Sequence, residues 1–298
     1  MGDAGRWNDM TETQDIVEEW TGEFSRHPMF GEGMTDAAID EMWEAGSETY
    51  SDSSYATIRD MVIQTMQDEG ILRPDCTVLD IGSGPGTFAI PMSKLCRSVI
   101  CIDNSKGMLQ RIVDSGVENI SVRQMDCRHL TDDLKSDVAF SSLCPPMNCP
   151  AGIDRMGELG GRCVYVSSAS QQDGLEGKIW RAIGMDYSYA GYDTHYPCRY
   201  LKSLGIDAEL RIFSQPAEPP QPIKTVEERL ISSISKYREV DDNLRRIIRE
   251  IVSDSSEDGM VAQTDDRRMG MLTWSTGGNR EREGRPDSEC RLGRIAPY

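Results

Sequence analysis

The chain has 298 residues, of which 38% are hydrophobic, and its formal net charge is −18. A chain of this length supports a sizeable buried core, as one large α/β domain with additions or as two smaller domains. Its 50 acidic residues outnumber 32 basic ones, which argues against binding to the phosphate backbone of DNA. Most of the excess lies in residues 1–75, which hold 18 Asp and Glu residues against 4 Lys and Arg residues.

Two further classes of protein are disfavoured by composition. No stretch approaches the roughly 20 consecutive apolar residues that a membrane-spanning helix needs, and no apolar signal segment opens the sequence. The nine cysteines are an odd number and are too sparse for a disulfide scaffold. We therefore expect a cytoplasmic protein with reduced thiols and no membrane association.

The first quarter of the chain is acidic and also rich in aromatic residues and methionine. That combination predicts that residues 1–55 cover an apolar surface. Helical spacing of apolar residues predicts a helix over 35–45 and a second one over 55–69, which ends at Gly70. We group residues 1–70 as an acidic helical arm that acts as a lid.

From residue 77 onward, short β-branched runs alternate with helical ones, which is typical of βαβ units in a parallel sheet. The predicted strands cover residues 77–81, 98–102, 120–124, 137–143, 162–167, 208–213 and 269–274. Helices are predicted at 88–94, 106–115 and 153–158, and an inserted pair at 226–237 and 241–252. The main domain thus spans 71–275, with its helical insertion at 223–254, and residues 276–298 form a flexible tail.

The most informative segment is residues 78–87 (VLDIGSGPGT), a buried strand that runs into a glycine turn. Glycines at a strand-to-helix turn admit positive φ and let a ligand approach the backbone closely. The spacing differs from the dinucleotide fingerprint, because Gly86 follows Gly84 by two residues instead of three. At the end of the next strand, Asp103 is placed to accept from two ribose hydroxyls. Together these features predict a nucleoside-containing ligand.

Residues 80–86 (DIGSGPG) and 102–109 (IDNSKGML) resemble the first two motifs of the class I S-adenosylmethionine-dependent methyltransferases. The resemblance covers about residues 77–168. It implies a doubly wound α/β sheet of seven mostly parallel strands, with S-adenosylmethionine as cofactor and methyl transfer as the activity. The implied cofactor-binding residues are Asp80, Gly82, Ser83, Gly84, Gly86, Asp103, Asn104, Met108, Asp126, Cys127 and Ser142.

Within that set the resemblance also implies individual roles. Asp80 and the glycine backbone line the amino acid part of the cofactor, and Asp103 holds the ribose. Asn104 and Met108 flank the adenine, whose amino group donates to Asp126. An alternative for Asp126 is that it only caps the following turn.

The loop after the fourth strand, residues 143–150 (LCPPMNCP), is the first candidate for contact with the methyl acceptor. Relatives that methylate amines carry Asn, Asp or Ser before Pro-Pro here and an aromatic residue after it. Cys144 and Met147 depart from that pattern, which argues against adenine or glutamine methylation. We predict that Cys144 and Pro145 border the transferred methyl group, with a rigid connector as the alternative. The spacing of the cysteines is not that of a zinc site, so no metal is expected.

The segment from 180 to 200 is rich in tyrosine and follows the fifth strand, at the edge where open α/β sheets bind ligands. Aromatic walls with polar tips suit a small planar or cationic acceptor. Methyl transfer is an in-line displacement that demands alignment more than a fixed catalytic residue. We predict substrate contacts from Trp180, Tyr192, Tyr196 and Arg199, and a general base at His195. A structural histidine and a surface salt bridge of Arg199 are the alternatives.

The sequence therefore predicts a methyltransferase that acts on an O, N or S nucleophile of a small molecule. A protein or RNA methyltransferase and a non-catalytic S-adenosylmethionine-binding subunit are the alternatives, because fold and motif do not prove turnover. A NAD-binding oxidoreductase is disfavoured by the glycine spacing. The apolar stripe of the inserted helices packs either on the core or on a second copy of the chain, so a homodimer is one expectation.

Overall fold

The computed structural model describes residues 4–28, 35–50, 56–169, 174–187, 190–214, 219–262 and 268–276. Its main sheet has seven strands, β1 Thr77–Ile81, β2 Ser98–Asp103, β3 Ile120–Gln124, β4 Ser136–Ser142, β5 Gly160–Ser168, β6 Ala208–Ser214 and β10 Arg268–Ser275. A second, small sheet contains β7 Gln221–Pro222, β8 Ser256–Glu257 and β9 Met260–Val261.

The strand order across the main sheet is β3-β2-β1-β4-β5-β10-β6. Neighbours from β3 to β5 pair in parallel, whereas β10 is antiparallel to both β5 and β6. This mostly parallel α/β sheet confirms the predicted fold class. The order in which successive strands are added reverses between β1 and β4, and open α/β sheets commonly bind ligands at the carboxyl ends of the strands at such a switch point.

Ten helices accompany the strands in the described parts of the chain, α1 Ala4–Ser25, α2 Asp36–Gly46, α3 Ala56–Asp68, α4 Ala89–Ser93, α5 Lys106–Asp114, α6 Pro150–Leu159, α7 Gly174–Ala182, α8 His195–Ser203, α9 Ile223–Ile234 and α10 Asp242–Asp254. Side-chain caps fix several of their starts: Thr35 caps α2, Ser105 caps α5 and Asp241 caps α10. The sequence does not predict α1, α7 or α8.

The sheet is buried on both faces, as a parallel sheet requires. Successive residues of β1 point to opposite sides, so Leu79 packs with Ile16 and Trp20 of α1, whereas Val78 packs with Ile58 and other apolar residues of α3. The buried face of α3 therefore belongs to the core of the sheet.

A third apolar cluster lies apart from the sheet. It joins α7, α9, α10 and the small sheet through buried residues such as Trp180, Ile234 and Ile248. The apolar stripe of the inserted helices is thus directed into a core of their own.

Some predictions fall outside the described residues. The proposed tail is described only at Thr276, and a proline-rich linker that the sequence predicts over 215–222 is described only from residue 219 onward. Over the ranges that are described, no helix is both long and apolar enough to span a bilayer.

Candidate cofactor and acceptor site

The glycine turn between β1 and α4 has the backbone conformation that its sequence predicts. Gly82, Gly84 and Gly86 have φ values of 71°, 52° and 87°, a region that side-chain-bearing residues rarely adopt. A Cβ atom on Gly82 would collide with Sγ of Cys144, whereas one on Gly84 would meet no described atom within 4 Å. The turn is therefore covered on one side by Cys144 and open at Gly84, where a ligand can approach its backbone.

Asp103, at the carboxyl end of β2, is bonded directly to this turn. Its Oδ2 accepts from the backbone N–H of Gly84 at 2.8 Å, and its Oδ1 accepts from the N–H of Ser105 at 2.9 Å. Burial raises the pKa of Asp103, although these N–H groups oppose the shift. An ionised carboxylate has about four acceptor positions, so these backbone donors do not exhaust its capacity. The ribose contact of Asp103 stays a prediction.

Several buried polar atoms at the turn lack hydrogen-bond partners among the described residues. They include Oδ2 of Asp80 and Oγ1 of Thr87. Burial, and secondarily the charge of Asp103, raises the pKa of Asp80 from 3.8 to about 8. Unpaired buried polar groups are unfavourable and usually bind a water molecule, an ion or a ligand. The α-ammonium of S-adenosylmethionine is a donor of the kind that Asp80 lacks, so these residues fit that cofactor.

The residues predicted to contact the adenine differ in burial and in hydrogen-bond partners. Asn104 is exposed and Met108 is buried. Asp126 accepts from the backbone N–H of Arg128 at 2.8 Å and from its guanidinium at 2.6 Å. Burial raises the pKa of Asp126, but the bonds from Arg128 outweigh it and leave the pKa lowered. Asp126 thus caps residues 127–129, which is the alternative role, and its adenine contact stays a prediction.

The loop after β4 covers the glycine turn. Ser142 ends β4, and Leu143 has a φ of 48°, a left-handed conformation that is uncommon outside glycine. This bend directs Cys144 onto Gly82 and brings its Sγ within 3.7 Å of Sγ of Cys127. The two cysteines of this loop have different partners: Cys144 contacts Cys127, whereas Cys149 caps α6.

The same loop is tied to the N-terminal helix through a buried chain of hydrogen bonds that the sequence does not predict. Nε1 of Trp20 donates to Oδ1 of Asn148 at 2.8 Å and lies 3.2 Å from the carbonyl oxygen of Gly191. The amide of Asn148 donates to the hydroxyl of Tyr165 on β5 at 2.6 Å. Trp20 is 1% exposed, so α1 is packed firmly against the loop after β4 and the sheet.

Two of the predicted acceptor residues lie against α1. The ring of Tyr196 stacks on Trp20 with a centroid distance of 6.3 Å, and its hydroxyl donates to Glu19. Arg199 forms an ion pair with Glu19 at 2.7 Å, and its guanidinium lies 5.8 Å from the centre of the Tyr196 ring. The salt bridge named as the alternative for Arg199 is present, with a partner on α1.

Trp180 does not join this group. Its side chain is fully buried and packs against Tyr187 and Tyr237 in the core of the α7, α9 and α10 module. The prediction that it forms an acceptor wall is corrected on this point: a ring with no exposed surface offers none to a substrate. Its aromatic neighbours in sequence gave the misleading signal.

His195 and Tyr192 lie at the carboxyl edge of β5. The backbone N–H of Thr194 donates to the carbonyl oxygen of Ser168 at 3.0 Å, and the N–H of His195 donates to Oδ1 of Asp193 at 2.7 Å. His195 is the first residue of α8, and its side chain is exposed. Tyr192 contacts His27 edge to face at 5.9 Å. Burial lowers the pKa of His27 to about 3, so this residue, which the sequence does not single out, is neutral at physiological pH.

The short helix α2 closes the other end of the site. Glu44 accepts from the Ser105 hydroxyl at 2.6 Å and from the N–H of Gly107 at 3.1 Å. At its start, Asp36 pairs with Arg128 at 2.5 Å. These contacts fasten α2 to the segments that follow β2 and β3. Neither contact is predicted from the sequence.

No group of three or more His, Cys, Asp or Glu side chains arranged to hold a metal ion occurs in the described part of the chain. The elements of the described site are a glycine turn, an acid at the end of each of β1 and β2, and covering segments from α1, α2 and the loop after β4.

Comparison with known proteins agrees with this geometry. Residues 78–158 match the family model described as a methyltransferase domain. An uncharacterised protein of Haemophilus influenzae is 28% identical over 149 residues, which are 48% of this chain and 55% of that protein. The chain thus spans about half the length of this curated relative.

Solved structures of low identity share the general fold. The YcgJ protein of Bacillus subtilis is 13% identical with a TM-score of 0.48, over 73% of this chain and 97% of that one. Magnesium protoporphyrin IX methyltransferase from Synechocystis, solved with bound SAH, is 13% identical with a TM-score of 0.46, over 83% and 91%. At such identities and scores, neither structure adds to the argument from the chain's own strands and motifs.

The strand order and the glycine turn with its two acids are features that class I S-adenosylmethionine-dependent methyltransferases share, and the matched family model is that of a methyltransferase domain. The match covers residues 78–158 of this chain.

Proposed function

We propose that this protein transfers the methyl group of S-adenosylmethionine to an O, N or S nucleophile of a small molecule. The observation that carries the cofactor part is the glycine turn itself. It is open at Gly84, bonded to Asp103 and underlain by the unsatisfied carboxylate oxygen of Asp80. One acid can accept hydrogen bonds from hydroxyl groups, and the other can accept them from an ammonium group. This pair suits a nucleoside that carries an amino acid better than it suits a dinucleotide.

The cofactor supplies an electrophilic methyl group on a positively charged sulfur. The residues of this chain orient it: Asp103 accepts from hydroxyls at one end, and Asp80 accepts from the ammonium at the other. The loop at Cys144 covers the turn, and α1 excludes water from that side. Because methyl transfer is an in-line displacement, this alignment and the exclusion of water are the main contributions expected of the protein.

The packing of α1 supports a small acceptor. Trp20 is buried against Asn148 of the loop after β4 and against Tyr196 of α8. A folded protein or an RNA would need open access to the same edge of the sheet, where this helix is held by a buried aromatic side chain and an ion pair. The side chain that removes a proton from the acceptor is not assigned, and His195 stays a prediction.

The test is to incubate the protein with S-adenosylmethionine carrying a labelled methyl group and a fractionated cell extract. We expect label in the small-molecule fraction, and its loss with Asp103→Ala. Label that enters only protein or only RNA would overturn the small-molecule acceptor. If the protein binds the cofactor but no fraction is labelled, the non-catalytic alternative gains support.

A further inference from the structure

Two thiols meet above the glycine turn although their strands are not neighbours in the sheet. Cys127 follows β3 and Cys144 follows β4, and β2 and β1 lie between these strands. Their Sγ atoms are nevertheless 3.7 Å apart. The segments after β3 and β4 therefore converge over the end of β1, and the thiol pair spans the turn where the cofactor approaches.

The position of Cys144 is set by the backbone. The positive φ of Leu143 turns the chain so that Sγ of Cys144 occupies the space that a side chain on Gly82 would need. A left-handed residue other than glycine is unfavourable by about 1–2 kcal/mol. Strain of this kind is concentrated at functional sites, where the surrounding structure holds it in place.

We propose that Cys127 and Cys144 are a redox-sensitive dithiol whose oxidation to a disulfide closes the cofactor site. The effect on the cofactor rests on the proposed function, whereas the disulfide itself does not. A disulfide has an S–S distance of about 2.05 Å. The two sulfur atoms therefore need to move together by roughly 1.6 Å, which lies within the range of small loop adjustments.

The two thiols differ in their exposure to solvent, and this difference determines which of them reacts first with a peroxide. Cys127 is partly exposed, whereas Cys144 is buried. Cys127 releases its proton, and its thiolate attacks one oxygen of hydrogen peroxide. The O–O bond breaks, and the released hydroxide takes up a proton, so that a sulfenic acid and one water result. The sulfur of Cys144 then attacks the sulfenic sulfur, so that an S–S bond forms and a second water leaves. The two thiols lose two electrons in total, and the peroxide is reduced to water.

The electrostatics agree with that order. The hydrogen bond with Cys127, together with burial, raises the pKa of the Cys144 thiol. Because the thiolate is the reactive form, Cys144 is the poorer initiator and the natural resolving partner. The resulting bridge would fix the loops after β3 and β4 across the turn and prevent them from separating when a ligand enters.

The experiment compares the wild type with three variants, Cys127→Ser, Cys144→Ser and the control Cys149→Ser. The control lies in the same loop as Cys144, and serine retains the capping role of Cys149 at α6. Each protein is titrated with S-adenosylhomocysteine by calorimetry when reduced, after hydrogen peroxide, and after re-reduction. The disulfide is mapped by alkylation and peptide mass spectrometry.

We expect a disulfide between residues 127 and 144 in the oxidised wild type and in Cys149→Ser, with affinity for S-adenosylhomocysteine lowered at least about tenfold and restored by reduction. Oxidation should leave the affinity of Cys127→Ser and Cys144→Ser unchanged. Absence of this disulfide in the oxidised wild type would overturn the proposal, and so would an equal loss of affinity in Cys127→Ser. Failure of the reduced wild type to bind S-adenosylhomocysteine would instead contradict the proposed function, while the peptide mapping still decides whether the dithiol exists.

Discussion

Among single residues, Asp80 shows the strongest conflict between burial and charge. Its side chain is 2% exposed, and Oδ2 has no partner among the described residues. Burial without a compensating donor favours the neutral acid, which is why the pKa of Asp80 rises to about 8. The same conflict makes Asp80 a good receptor for a cationic ligand group.

The raised pKa predicts how stability depends on pH. Between pH 3.8, the ordinary pKa of an aspartate, and about 8, the folded protein retains the Asp80 proton, whereas the unfolded chain has released it. The contribution of this group to the free energy of unfolding is therefore full below the lower value and is lost as pH rises through the upper one. Asp80→Asn should remove that loss, so its stability relative to the wild type should increase with pH in urea unfolding experiments.

Asp137 provides a control of opposite sign for that experiment. The backbone N–H and the hydroxyl of Thr77 donate to its carboxylate and lower its pKa. Its contribution is present above the unfolded pKa and is lost as pH falls, so Asp137→Asn should flatten the acid side of the profile. If Asp80→Asn and the wild type follow parallel profiles from pH 5 to pH 9, the carboxyl of Asp80 is not held in its neutral form.

Among the structural elements, α1 is held in its position on the sheet mainly by one side chain, that of Trp20. Trp20 fills a buried site, stacks on Tyr196 and donates to Asn148. Trp20→Ala should therefore lower the free energy of unfolding by about 3–5 kcal/mol, as is typical for truncation of a buried aromatic residue. Chemical denaturation measures this directly.

Two further variants separate packing from hydrogen bonding at this position. Trp20→Phe keeps an aromatic ring but leaves Oδ1 of Asn148 without its donor, for which we expect a loss of about 1–3 kcal/mol. Trp43→Ala is the control, because Trp43 lies on α2 and is only partly buried. Equal losses for Trp20→Ala and Trp43→Ala would mean that α1 is not docked as described.

The helix α2 is held by contacts of a different kind. Glu44 bonds the start of α5 through Ser105 and Gly107, the segment that follows Asp103. Glu44→Ala should increase amide hydrogen exchange at Gly107 and along α2 by up to about fivefold, since exposed charged contacts are individually weak. Glu41→Ala, an exposed change on the same helix, should leave exchange unaltered, and equal effects of both variants would contradict the Glu44 contact.

For the whole molecule, the uneven charge has a structural consequence. Some acidic side chains of the N-terminal segment form ion pairs with the rest of the chain. Glu19 pairs with Arg199, and Asp36 pairs with Arg128. The excess acid of this segment therefore helps to fasten α1 and α2 to basic residues on both sides of the site. Each such surface pair contributes little to stability, but together the pairs specify where the two helices lie.

The sheet could be predicted from the sequence because its strands are short buried runs separated by recognisable turns. The predicted bounds of β1 and β3 agree with the structure, and the glycine turn and Asp103 lie together as their positions at strand ends require. A short window of sequence is sufficient to predict such features, because the alternation of residues along a strand and the glycines of a tight turn both lie within that window.

The remaining elements depend on contacts that no local pattern encodes. In α1 the buried residues Ile16 and Trp20 stand in an acidic, weakly patterned segment, and Trp20 is fixed by Asn148, which is 128 residues away. The start of α8 is obscured by Pro197, which is tolerated only because it lies in the first turn. The Cys127 and Cys144 contact likewise arises from the convergence of two loops after strands that are not adjacent.

We propose that the glycine turn with Asp80 and Asp103 binds an S-adenosyl ligand. Calorimetric titration of the protein with S-adenosylhomocysteine and, separately, with NADH measures this binding. We predict one-to-one binding of S-adenosylhomocysteine at micromolar levels, no comparable binding of NADH, and an affinity for Asp103→Ala that is about 10- to 100-fold weaker, because hydrogen bonds to a charged group are lost. Binding of NADH in preference to S-adenosylhomocysteine, or unchanged affinity in Asp103→Ala, would contradict the assignment of this site.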